Sequence, residues 1–197
     1  MSHFTRIQTQ IRDREGLLNA LRDLHYSYRV GENLPVRGYY TEGEKAEIVI
    51  DTGSEYDIGF VRRKEVYEAV ADWDWGIAQK TSIRQKTFVK QLNRQYAYNN
   101  IVHHVEEQNL IIEEERTLEN GDTVFILEER SMAKFKIVLH EHGTQEVEPL
   151  DSVGQECIAL TERYEKRSGI VIDRALKPEY YETEVNVEVE SVIEAQY

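Results

Sequence analysis

Apolar and polar positions alternate from residue 3 to 11. Ile7, Thr9 and Ile11 fall on one side and Arg6, Gln8 and Gln10 on the other, the period of a strand. Asp13 then offers a helix N-cap before Leu17, Leu18, Leu21 and Leu24, which line one face of a short amphipathic helix. From about Tyr26 to Asp72 the period returns to two, through Ala46, Ile48 and Ile50, then Tyr56, Ile58 and Phe60, then Val66 and Val70. Turn-forming residues over 31–35, 42–44 and 52–55 cut this stretch into three or four antiparallel strands.

Ser82 with Gln85 three residues later has the form of a capping box and predicts a long helix reaching about Glu107. Phe88, Leu92 and Tyr96 recur every four residues, and Ile101, Val102 and Val105 extend the stripe, so the helix is expected to lie over the sheet. Two apolar-rich runs, 110–115 and 123–128, flank Glu119-Asn120-Gly121-Asp122, where Asn-Gly supplies the positive φ angles of a tight hairpin. After Ser131 the order restarts with a strand over 135–140, a turn at Gly143 and a strand near 145–148. A helix over about 154–166 ending at Gly169 and a third strand over 170–173 complete the pattern. The fold class is therefore α+β. An antiparallel sheet covered by a short and a long helix occupies 1–131, and a small ββα(β) unit occupies 132–182. Residues 183–197, where valine alternates with glutamate, form an acidic edge strand or a tail.

Composition agrees with a folded core: 40% of residues are hydrophobic and 31% charged. The 37 acidic and 24 basic residues leave a net charge of −13, which repels free nucleic acid and anionic membranes and makes basic proteins the charge-matched partners. No apolar run approaches the roughly 20 residues that span a bilayer. With no hydrophobic leader core after Met1, the expectation is a cytoplasmic chain with no membrane contact. A lone cysteine, Cys157, allows no intrachain disulfide and no zinc ribbon, and suits a reducing compartment.

Cys157 falls near the start of the helix expected over 154–166, where the helix dipole lowers a thiol pKa. Glu156 opposes the thiolate, and free cysteines most often simply pack. His140 and His142 sit two apart on a strand, so both rings leave one face and can share a metal. A tight site still needs three or four ligands, and the only thiol lies outside the motif. His103 and His104 are adjacent on a helix and point about 100° apart. Trp73 and Trp75 alternate at strand spacing and, with Tyr39, Tyr40, Tyr56 and Tyr67, make an aromatic-rich sheet. Trp73, Trp75, Tyr39 and Tyr40 are the candidate binding residues, since Trp and Tyr are enriched among interface hot spots. The same rings also suit a core beneath the helix, with one Trp buried and one at the rim. Arg62, Arg63 and Lys64 form a basic turn, and Arg84, Lys86, Lys90 and Arg94 mark the first half of the long helix; each group suits an anion or protein contact, or a solvated face. No glycine-rich phosphate loop, G-x-S-x-G elbow, H-E-x-x-H or Walker lysine is present, which disfavours an ordinary hydrolase or nucleotide enzyme, and no cofactor is indicated.

Several short stretches in order carry a resemblance: Met1-Ser2-His3-Phe4-Thr5, Ile11-Arg12-Asp13-Arg14-Glu15, Val36-Arg37-Gly38-Tyr39, Tyr56-Asp57-Ile58-Gly59-Phe60, Tyr67 to Trp73, Gln95-Tyr96-Ala97-Tyr98, and the hairpin around Glu113-Glu114-Glu115 and Gly121. Over about residues 1–130 the chain resembles the hypothetical chloroplast reading frame thirty-five family, also called domain of unknown function twelve-fifty-seven, which is cyanobacterial and plastid-encoded. Asp74-Trp75, a near repeat of Asp72-Trp73, and the loop over 31–35 depart from that pattern. Residues 135–182 resemble a second family, domain of unknown function twenty-nine-ninety-seven, through Gly154-Gln155-Glu156-Cys157, Leu160-Thr161, Gly169 and Pro178-Glu179-Tyr180-Tyr181. The resemblance implies two cooperating modules, here fused, whose separate genes often neighbour each other and sometimes stand beside that of a ring-type ATPase of the AAA class, and a plastid-stroma location if the gene is plastid-encoded. The function expected is a non-catalytic adaptor or regulatory subunit whose partner is a ring-type ATPase or a basic protein. The alternatives are a thiol-dependent enzyme or redox carrier using Cys157, and an acidic decoy for a nucleic-acid-binding or effector protein.

Overall fold

In the computed structural model, which describes residues 4–39, 44–130, 133–150 and Tyr164, the chain has an α+β fold with two antiparallel sheets. The first has five strands: β1 (Thr5–Gln8), β2 (Tyr28–Pro35), β3 (Lys45–Asp51), β4 (Asp57–Arg63) and β5 (Val66–Ala71), in the spatial order β1-β5-β4-β3-β2. The strands from β2 to β5 form a meander, and β1 returns to close its far edge by pairing Thr5 with Ala71. Helix α1 (Arg14–Asp23) starts where expected, with the Asp13 carboxylate accepting the Gly16 amide as N-cap, and buries Leu17, Ala20 and Leu21.

A π-helical turn at Trp73–Ile77 and a short α2 (Ala78–Lys80) lead into α3 (Gln85–Gln108), which ends on left-handed Asn109. The first residue of α3 is Gln85, preceded by Arg84 as a cap without a side-chain bond, so the expected Ser82–Gln85 capping box does not form. The Thr81 hydroxyl accepts the Ile83 amide instead, and the cap falls two residues later than expected, on extended Arg84.

The second sheet comprises β6 (Ile111–Thr117), β7 (Thr123–Glu128), β8 (Lys134–Leu139) and β9 (Gln145–Pro149), paired in chain order. The β6–β7 hairpin forms, but not through the tight Asn-Gly turn expected: Gly121 alone takes a positive φ, +87°, and a longer loop over 118–122 is closed by the Leu118 amide donating to the Asp122 carbonyl at 2.8 Å. Strands β7 and β8 pair from Thr123–Leu139 to Glu128–Lys134, so the sheet runs straight across the junction expected at residues 131/132. Alternating apolar positions on both strands share one buried face, and splitting them would expose it. The helix expected over 154–166, the strand over 170–173 and the segment 183–197 lie outside the described residues apart from Tyr164.

The break in the architecture falls inside α3. Phe88, Leu92 and Tyr96 pack with α1 and the five-stranded sheet against Ile48, Ile50, Ile58, Phe60 and Tyr67. One turn on, Ala97, Ile101 and Val105 pack on Phe125, Leu127, Phe135, Ile137 and Leu139 of the four-stranded sheet. Each such side chain contributes roughly 1.5–3 kcal/mol through burial, so α3 is a structural element of both cores.

Candidate functional site

Consecutive side chains on a strand leave opposite faces of its sheet, and the pair Tyr56-Asp57 at the start of β4 uses both. Tyr56 joins the helix-side core. Its ring lies flat on Gly76 of the π-helical turn, so closely that a Cβ at Gly76 would overlap it, and only glycine fits. The turn is closed by the Ile77 amide donating to the Asp72 carbonyl at 2.8 Å. Its wide winding separates two residues that strand spacing would have aligned, which corrects the alternating reading of Trp73 and Trp75. Trp73 is 2% exposed and packs on Phe88 at 5.8 Å between ring centroids, whereas Trp75 is 71% exposed.

Asp57 faces the other way and is fully buried. A buried carboxylate persists only when paired, and Arg37 supplies the pairing. Nη2 donates to Oδ1 at 2.6 Å, Nε to Oδ2 at 2.9 Å and the Arg37 amide to Oδ2 at 3.1 Å. Arg37 also reaches Asp51 at 3.1 Å, and the Asp57 amide donates back to the Arg37 carbonyl at 3.0 Å. The hydrogen bond to Asp57 holds the Arg37 pKa above its ordinary value. This clamp fastens the segment that follows β2 to the sheet, and two residues later that segment carries Tyr39, 68% exposed.

Tyr56 ties the two mounts together electrostatically. Burial pushes its pKa up, and the carboxylates of Asp72 and Glu55 and the phenol of Tyr39 push in the same direction. The supports of the two exposed rings thus meet at the Tyr56-Asp57 pair and form a corner, with Glu55 and Asp74 exposed on the same segments. Aromatic faces edged by carboxylates suit recognition of a cationic or mixed protein surface. Tyr40 and Cys157, the other candidate binding and catalytic residues, lie outside the described residues.

His140 and His142 do come together, with rings stacked at 5.8 Å and 14°, but their nitrogens turn elsewhere. His140 Nδ1 meets Asp122 Oδ2 at 3.0 Å and Nε2 meets Glu146 Oε1 at 3.2 Å, while His142 Nε2 bonds the Thr144 hydroxyl. Among the described residues no group of three or more His, Cys, Asp or Glu side chains is arranged to hold a metal ion. Burial pulls the His140 pKa down, but its hydrogen bonds with Asp122 and Glu146 outweigh that and leave it raised. His103 and His104 diverge: His103 pairs with Glu107 at 3.3 Å on the surface, and His104 is buried edge-on to Tyr164. In the basic half of α3, Lys90 pairs with Glu141, and Arg94 donates to the Gly121 carbonyl and the Thr123 hydroxyl, so both hold hairpin tips of the second sheet.

The sequence reading missed Asp57, Arg37 and Gly76 as supports. Their signal was present in Tyr56-Asp57 and Val36-Arg37-Gly38-Tyr39, where an aspartate opens an apolar strand, but an aspartate beside a turn reads as a turn residue.

The family model described as "Protein of unknown function (DUF1257)" matches residues 20–126, which include both mounts of the corner and all of α3. The chain belongs to this family. An uncharacterized protein ycf35 of Guillardia theta is 36% identical over 121 residues, covering 61% of this chain and 91% of the relative. Those of Cyanophora paradoxa and Pyropia yezoensis are 33% and 31% identical, covering 52% and 55% of this chain and 77% and 81% of their own lengths. No solved structure matches. The DUF1257 match ends before the segment resembling the second family. No helix among the described residues is long and apolar enough to cross a membrane.

Proposed function

We propose that this DUF1257 chain is a non-catalytic adaptor that docks a partner protein through Trp75 and Tyr39. The observation that carries this reading is that two large exposed rings stand on mounts fixed by buried contacts, Tyr56 on Gly76 and Asp57 on Arg37. Rigid aromatic display gives contact area at small entropic cost. The partner is a ring-type ATPase of the AAA class, as the resemblance implies, or another protein with a basic face, which the net charge of −13 would steer towards the corner. The site of action is the cytoplasm, or the plastid stroma where the gene is plastid-encoded. Residues 132–182 act with the first unit as one body, a reading supported by the β7–β8 pairing.

Capture of partners from extract, followed by native mass spectrometry, tests the proposal. A specific complex is expected that weakens with salt and is lost in Trp75→Ala/Tyr39→Ala. A chain that stays alone in extract and with a purified ring ATPase, or a complex indifferent to both substitutions, sinks it.

A further inference from the structure

At the other end of β4, about 20 Å from the Tyr56-Asp57 pair at the rise of a strand, the outer face of the five-stranded sheet carries a groove of about 640 Å³. Phe4 and Val61 form its apolar part, Arg6 from β1, Lys45 from β3 and Arg63 from β4 converge on it, and Asn33 and one carboxylate, Glu44, complete the lining. Three bases from three strands share one depression in a chain with 37 acidic and 24 basic residues. Arg6 is already held, by Glu44 at 2.7 Å and Glu68 at 3.9 Å. Lys45 and Arg63 are exposed and, among the described residues, have no carboxylate within ion-pair distance.

The backbone supplies a second, independent observation. Among the described residues four non-glycine residues have a left-handed φ, and two of them have an ordinary reason: His25 and Asn109 lie just beyond the ends of α1 and α3. The other two adjoin the groove. Asn33, at φ +54°, lines it from the irregular part of β2, and Lys64, at φ +53°, opens the two-residue β4–β5 turn directly after Arg63. Glycine is favoured at a positive-φ turn position, so Lys64 holds the turn after Arg63 at a local cost.

We propose that this groove binds a small organic dianion, a phosphoryl or dicarboxylate group on an apolar body. The charged end lies between Lys45 and Arg63, with Arg6 beside it, and the apolar body lies on Phe4 and Val61. The volume suits a small molecule. The site is separate from the aromatic corner and does not depend on it.

Titration of the full chain at low salt with phenyl phosphate, and with phthalate as a dicarboxylate on the same ring, tests the site by calorimetry and by amide shifts over residues 61–64. Saturable binding at about 1 mM or tighter is expected, weakened roughly tenfold by Lys45→Gln and by Arg63→Gln, kept by Lys45→Arg and unchanged by Trp75→Ala. Phenyl phosphate alone saturating identifies a phosphoryl ligand, and equal binding of phthalate a dicarboxylate. Both lysine and arginine positions are exposed, so the variants fold, which their thermal melts verify. Binding that never saturates with either probe, or that ignores both glutamine substitutions, overturns the proposal.

Discussion

The two sheets solve the problem of their outer faces differently. The five-stranded sheet carries packing on both sides: α1 and α3 cover one face, and Val36, Leu34 and Phe4 pack with Val49, Val61 and Val70 on the other, leaving the groove beside Phe4 and Val61 open. In the four-stranded sheet, α3 covers Phe125, Leu127, Phe135, Ile137 and Leu139. The opposite face holds partly exposed ion pairs such as Lys134 with Glu113 at 2.7 Å and Lys136 with Glu148. Its edge strand β6 is exposed along all seven residues. A carboxylate can be fully buried, as Asp57 is, only where a sheet carries packing on both sides and a cation is built into the cover. The ion pairs described on the second sheet stay partly exposed and contribute little. The first sheet is therefore the rigid platform, and the candidate corner stands on it.

Removing the buried charge breaks that contrast most severely. Asp57→Ala removes the acceptor of the Arg37 amide and leaves the Arg37 guanidinium only exposed Asp51 as a partner, and is expected to cost about 3 kcal/mol, near the lower end for a buried pair because Arg37 is half-exposed. Denaturant unfolding measures it, and a loss below about 1 kcal/mol would mean the cover is not held by this clamp. Gly76→Leu forces the Tyr56 ring off the π-helical turn and is expected to cost about 1–3 kcal/mol while changing Trp75 fluorescence. An unchanged emission spectrum would contradict the role given to that contact.

The second sheet has its own signature in pH. The folded pKa of His140 lies above its ordinary 6.5, so its contribution is complete below that value and is lost as pH rises through the raised pKa. Asp122 is the mirror case. Burial pushes its pKa up, but the hydrogen bonds from His140 and the Glu141 amide win and leave it below 3.8, so its contribution is present above 3.8 and lost as pH falls through the depressed value. Stability should therefore decline on going from neutral to mildly alkaline pH, and His140→Gln should flatten that slope, as thermal melts across the range will read. A slope that survives the substitution assigns it to another group. The smallest effect belongs to Trp75→Ala, expected within about 0.5 kcal/mol of the parent stability because the ring is 71% exposed. A larger loss would show that the ring supports the fold rather than standing free.

Periodicity carried most of the architecture, because apolar residues at intervals of two and four have few ways to be buried together. Ile48, Ile50, Ile58 and Phe60, and the stripe of Phe88, Leu92 and Tyr96, lie under one another as their spacing requires. Pattern could not reveal what depends on a single backbone irregularity. Trp73 and Trp75 read as a strand because two residues apart is strand spacing, and nothing in Trp-Asp-Trp-Gly announces a π-helical turn. The restart after Ser131 marks a new strand set in composition, and the pairing of β7 with β8 across it is a long-range contact that no local pattern encodes. The corner was half legible: its aromatic residues stood out, while the Asp57–Arg37 clamp joins residues 20 apart whose pairing no local spacing encodes.

The 24-residue α3 is about 36 Å long at the rise of a helix and is shared by both hydrophobic clusters. Neither cluster can melt without stripping one half of that helix of its cover, and half a helix left in water does not persist. The described residues therefore have the wiring of a single cooperative unit, in which calorimetric and van't Hoff enthalpies agree. A load applied at the aromatic corner would be felt at the far hairpins along a rigid strut.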